Sequence, residues 1–161
     1  MVFLREILPE DRERMLDILT SEEVSKTYML PDYENRADAA PLFVRLIEMS
    51  REAGKYVRGI ADSEGLVGFV NHTDIQGEQI ELGYVIHPQY QGRGYMTRAL
   101  SLAMKELFSQ GYREIITGAF SSNTASIRVM KKCGMTRMDK TDEIEYRGNL
   151  HTCVYFRMIQ E

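Results

Sequence analysis

The heptapeptide Gln91-Gly92-Arg93-Gly94-Tyr95-Met96-Thr97 is the stretch whose residue types and spacing point most directly to chemistry. It lies between a strand-like segment, Ile80 to His87, and a segment that carries Leu100, Met104, Leu107 and Phe108 on one helical face. Gly92 and Gly94 can take positive φ and let a ligand approach the main chain. The helix behind them offers unpaired N–H groups and the positive end of its dipole. Such a turn is a cradle for a phosphate-bearing ligand.

Neighbouring residues exclude two familiar phosphate loops. Thr97 stands where the third glycine of a dinucleotide fingerprint belongs, and His87-Pro88-Gln89-Tyr90 separates strand from turn. The Gly-Lys-Ser/Thr of a nucleoside triphosphate loop is absent. Cys133 and Cys153, the only cysteines, are too few for a disulfide framework and read as reduced and structural. His72, His87 and His151 are scattered, so no metal site is expected.

Composition bounds the rest. A chain of 161 residues, 43% hydrophobic and 27% charged, is expected to form one domain over its whole length, 1–161. No apolar run approaches the roughly 20 residues that span a bilayer, and Met1-Val2-Phe3-Leu4-Arg5-Glu6 lacks a secretory apolar core, so a cytoplasmic location without membrane attachment is expected. A net charge of −4 argues against nucleic acid as a partner and is compatible with a cationic one.

The elements that must position the glycine turn can be read in order. Val2 to Glu6 reads as a short strand and Pro9 to Leu19 as a helix. Ser21-Glu22-Glu23 opens a second helical stretch, and Asn35 to Ala53 reads as a third. Lys55 to Ala61, Leu66 to Asp74 and Ile80 to His87 read as an antiparallel meander, turned at Asp62-Ser63-Glu64-Gly65 and Gln76-Gly77-Glu78. After the glycine turn and its helix come a strand from Arg113 to Phe120 and a helix from Thr124 to Lys132 ending at Gly134. Two strands around Arg147-Gly148-Asn149 close the chain.

Within that order, Glu81-Leu82-Gly83-Tyr84-Val85-Ile86-His87-Pro88-Gln89-Tyr90 running into the glycine turn, then Asn123-Thr124-Ala125-Ser126 and Lys132-Cys133-Gly134-Met135, resembles the GNAT superfamily of acetyl-CoA-dependent N-acetyltransferases. The resemblance covers nearly the whole chain and is nearest to the RimJ/RimL type that acetylates ribosomal-protein N-termini. It implies an α/β GNAT fold with a mixed, mostly antiparallel sheet of about seven strands, flanked by about four to five helices and splayed at the acetyl-CoA site. The glycine turn, Gln91, Gly92, Arg93, Gly94, Tyr95, Met96 and Thr97, would then hold the pyrophosphate of acetyl-CoA. Met96 replaces the Gly or Ala usual in the family.

The same resemblance assigns the backbone of Tyr84, Val85 and Ile86 to the pantetheine arm, with an N–H of Val85 or Ile86 facing the oxyanion. Their side chains are equally readable as ordinary sheet core. Asn123 would bind the arm, although Asn before an apolar helical run also reads as an N-cap. Ser126 would sit near the CoA sulfur, since the family's usual tyrosine is Met130 here. Arg93 and Lys132 could meet phosphates or be solvated charges. Glu81 is the expected base, its alternative a polar residue on a solvated strand face, with His87 behind it. Asp32, Tyr33 and Glu34 fall in the stretch that commonly lines the acceptor cleft, or form a polar loop.

The implied activity is direct transfer of acetyl from acetyl-CoA to a primary amine, with a protein or peptide N-terminus as the expected acceptor. Polyamines, amino acids or antibiotics are the alternative acceptors, and a non-catalytic CoA-binding sensor the alternative class. Either a monomer or a homodimer is compatible with the sequence.

Overall fold

A computed structural model of the protein describes residues 1–160. Seven strands form one sheet: β1 (Phe3–Arg5), β2 (Val57–Asp62), β3 (Gly65–Gln76), β4 (Gln79–Ile86), β5 (Glu114–Phe120), β6 (Thr136–Tyr146) and β7 (Asn149–Ile159). Their order is β1-β2-β3-β4-β5-β7-β6, and every pairing is antiparallel except β4 with β5. Five α-helices pack on it: α1 (Arg12–Leu19), α2 (Glu22–Ser25), α3 (Ala40–Arg51), α4 (Tyr95–Ser109) and α5 (Thr124–Lys132). This is the mixed α/β architecture expected from the sequence.

The two sheet faces are covered differently. One carries α4 and α5. Helix α4 buries Met96, Ala99, Leu100, Ala103, Met104 and Leu107, spaced three and four apart, against Ile80, Leu82, Ile86, Val154 and Phe156. Truncating Leu100 or Leu107 to alanine in such a stripe costs about 2–5 kcal/mol. The expected fourth member, Phe108, is only partly buried at its edge. The opposite face carries α1, α2 and α3 over β2 to β4, through Leu16, Leu19, Val24, Phe43 and Leu46 against Val57, Phe69 and Val85. Beyond β4 that face holds a cluster of Ile116, Cys153 and Tyr155 with Met138 and Ile144, and Phe120 stacked on His151 beside Tyr146.

Two helices expected as single units begin with a turn of tighter helix. Pro9–Asp11 and Arg36–Ala39 are 3₁₀ turns ahead of α1 and α3, because Asp11 and Asp38 fold back on the N–H groups of Leu8 and Asn35 (2.8 and 3.1 Å) and tighten the entry. Helix α3 ends at Arg51, short of the expected Ala53, and the chain leaves it through Gly54 at φ +82°.

Candidate functional site

The site begins where β4 and β5 separate. Their parallel ladder runs from Gln79 opposite Glu114 to Leu82 opposite Thr117 and stops there. From Gly83 to Ile86, β4 pairs only with β3, so its other edge has no strand partner. The His87 N–H donates to the Val67 carbonyl at 2.7 Å. Strand alternation therefore turns the Val85 backbone toward β3 and the Tyr84 and Ile86 backbones toward the fork. By this alternation the Ile86 N–H faces the fork and the Val85 N–H faces β3. Val85 also lines the cavity.

Gly83 and Gly118, the first residues past the last pair, leave a gap at the fork. A Cβ on Gly118 would stand 2.8 Å from the Tyr155 ring, and one on Gly83 would stand 3.3 Å from Asn71 Oδ1. A cavity of about 550 Å³ passes through this gap. On one side it is lined by Tyr84, Ser126 and Val129, and on the other by Glu23, Val24, Thr27 and Tyr28. It therefore connects the α4/α5 layer to the α1–α3 layer through the sheet.

At one end of the cavity lies the glycine turn. Gly92 and Gly94 adopt φ +77° and +75°, as the phosphate-cradle reading requires. No side chain caps α4, so the N–H groups of its first turn are open to a ligand. Tyr95 pins this end by donating to Asp62 Oδ2 (3.1 Å), and the Gln91 amide donates to the Ile86 carbonyl (3.3 Å). Gln91, Gly92, Gly94, Tyr95, Met96 and Thr97 all line the cavity, and the Met96 side chain is buried in the core. Lys132 lines it too, joined by Arg128 one turn earlier on α5. Neither makes an ion pair among the described residues. Open amides, positive-φ glycines and two available cations fit the phosphates of CoA. Arg93 is absent from the lining and lies over the Tyr90 ring at 4.9 Å.

Helix α5 starts beside the fork. Asn123 is its N-cap, with Oδ1 accepting from the Ser126 N–H at 3.1 Å, and it also lines the cavity. Ser126 Oγ lies 2.6 Å from the Tyr84 hydroxyl, and burial pushes the Tyr84 phenol well above its ordinary pKa. Met130 is fully buried in the core. Across the fork, burial raises the Tyr28 phenol to about 12, opposed by its 3.0 Å hydrogen bond to Asn71.

Other expected residues stand apart from the cavity. Glu81 is two residues before Gly83 on the same face of β4, where Oε2 accepts from Thr73 Oγ1 at 2.7 Å, and it does not line the cavity. His87 is buried. Its Nδ1 accepts from the Gln89 N–H (3.1 Å), which leaves Nε2 to donate to Asp17 (3.2 Å), so it serves the strand end. Asp32 and Tyr33 line a separate cavity of about 190 Å³ with Ser21, Pro31 and Arg147, and Glu34 lines neither. The loop containing them is tied to the β6–β7 turn: Tyr146 donates to the Ser25 carbonyl (2.7 Å), and Arg147 to the carbonyls of Leu30 and Pro31 (3.2 Å each). Sequence reasoning missed Glu23, Tyr28, Arg128 and the Tyr84 hydroxyl. Only Arg128 carried a signal, being one turn from Lys132 on a helix already expected to face the ligand.

The acetyltransferase (GNAT) domain family matches residues 2–136. The chain belongs to the GNAT acetyltransferases. It is 31% identical over 111 residues to Bacillus subtilis YnaD, named as an uncharacterized N-acetyltransferase, a match spanning 68% of this chain and 65% of that protein. Among solved structures, spermidine N-acetyltransferase from Vibrio cholerae, in complex with CoA and spermine, superposes with a TM-score of 0.83 at 16% identity, over 99% of this chain and 95% of that one. The Salmonella typhimurium acetyltransferase that modifies the N-terminal serine of ribosomal protein L7/L12 gives the same TM-score and coverage, also at 16% identity. At such identities the structural likenesses establish the GNAT fold.

Proposed function

We propose that this domain transfers acetyl from acetyl-CoA directly to the α-amine of a protein or peptide N-terminus, in the RimJ/RimL manner. The observation that carries the reading is the cavity through the sheet, which joins a phosphate cradle on one side to a mouth with a single carboxylate on the other. Glu23 is the one acidic residue among its described lining. A polyamine brings several positive charges and calls for several carboxylates, whereas an N-terminus brings one.

In this reading the first turn of α4 with Arg128 and Lys132 holds the phosphates, and the open edge of β4 pairs with the pantetheine arm as an added strand. The bound thioester supplies the acetyl group. The Ile86 N–H faces the developing oxyanion, and Ser126 faces the sulfur. Glu81, on the acceptor side of β4, takes the amine proton through water.

The test is CoA release from acetyl-CoA with peptides of varied N-termini, polyamines and amino acids, beside a CoA thermal-shift titration. Turnover on peptides alone supports the reading. Turnover on polyamines alone replaces the acceptor, and a CoA shift without turnover on any amine replaces enzyme by sensor. Absence of any CoA shift removes the cofactor assignment.

A further inference from the structure

We propose that Tyr84, acting through Ser126, supplies the proton that the departing CoA thiolate takes, a positioning and relay role for which its hydroxyl stands 2.6 Å from Ser126 Oγ. The inference rests on the acetyl-transfer reading above and adds the residue that its chemistry lacks. Met130, where many GNAT enzymes carry a tyrosine, is fully buried and does not line the cavity, so α5 offers no acid there.

The geometry points instead to the strand. The Tyr84 hydroxyl lies 2.6 Å from Ser126 Oγ and 3.4 Å from the Ser126 carbonyl oxygen, and both side chains line the α5 side of the fork. Ser126 is itself held by the Asn123 cap on its N–H, which fixes Oγ relative to the cavity. The phenol can point at the Ser126 carbonyl while Ser126 donates to it, or donate to Ser126 Oγ and free the serine proton for the cavity. Charged and titratable groups around the pair are Cys133 after α5, Arg128 and Lys132 on α5, and Glu23 and Tyr28 across the fork. Burial raises the phenol pKa, which keeps the donor fully protonated at neutral pH.

The step balances. As the amine nitrogen bonds to the acetyl carbon and the C–S bond breaks, its electron pair passes to sulfur. Ser126 gives its hydroxyl proton to that sulfur and takes the Tyr84 proton. Glu81 takes the proton lost by the amine nitrogen and returns it through water to Tyr84, leaving amide, thiol and unchanged enzyme.

Tyr84→Phe, Ser126→Ala and the double variant test this, with the amine that wild type acetylates. Tyr84→Phe is expected to lower kcat about 10- to 100-fold while the KM for acetyl-CoA stays within about threefold and the CoA thermal shift persists. The double variant is expected to be no slower than Ser126→Ala alone, as for groups acting in series. A fluorinated tyrosine of lower phenol pKa at position 84 is expected to move the alkaline limb of the kcat profile to lower pH, and it keeps the test available if Tyr84→Phe does not fold. A kcat within twofold of wild type in Tyr84→Phe, multiplying losses in the double variant, or an unmoved alkaline limb overturns the inference and leaves the acetyl-transfer reading standing. Wild-type protein that binds CoA but turns over no amine removes both.

Discussion

Helices α4 and α5 both point their N-termini at the cavity, yet they finish those ends in opposite ways. At α5 the chain satisfies itself: Asn123 accepts from the Ser126 N–H at 3.1 Å. At α4 the residue in the capping position is Gly94, left-handed at φ +75°, with no side chain to offer. A self-capped terminus has already spent its favourable contact with a partial negative charge, whereas a bare one keeps it for a ligand. The difference separates a terminus satisfied within the chain from one left open to a ligand, although both line the same cavity.

Gly94→Asp should erase that difference most forcefully, because it gives α4 its own carboxylate and tolerates the left-handed backbone better than most residues. CoA affinity is expected to fall roughly 100-fold, by isothermal titration, with the ligand-free melting temperature within a few degrees of wild type. Next comes Asn123→Ala, which bares α5. It should cost about 1 kcal/mol of stability, a drop of about 2–4 °C in Tm by calorimetry. Asn123→Asp sharpens the contrast, since it keeps the cap and its Tm while placing a negative charge in the cavity, and a severalfold loss of CoA affinity is expected. The smallest effect belongs to Lys132→Ala: a rise of about threefold in the KM for acetyl-CoA at low salt that shrinks at high salt, measured in steady-state kinetics.

Much of this contrast is legible in the chain. Thr124 to Lys132 is the span read for α5, because Asn123 and Gly134 punctuate it at both ends. The two hairpin turns of the meander and the glycine cradle are equally local and fall where their glycines put them. The misses are contacts between distant segments. Tyr84 and Ser126 are 42 positions apart, and nothing in either neighbourhood forecasts a hydrogen bond between them. Which backbone groups of β4 face the fork follows from the register of β3 against β4, and so could not be chosen between Val85 and Ile86 beforehand. The 3₁₀ entries to α1 and α3 escaped for a related reason, since Asp11 and Asp38 read as ordinary first-turn acids.

The strand order has a consequence for the order of assembly. Strand β7, the last made, lies between β5 and β6, and β6 pairs with no other strand. Through Tyr146 and Arg147 the same hairpin anchors a loop some 116 to 121 positions earlier. A chain emerging from the ribosome can therefore zip β1 to β4 and dock α4 on them early, but it cannot fasten this loop until the β6–β7 hairpin has been made. Strands β1 to β4 are in this sense older, within the life of each molecule, than the hairpin that braces the loop.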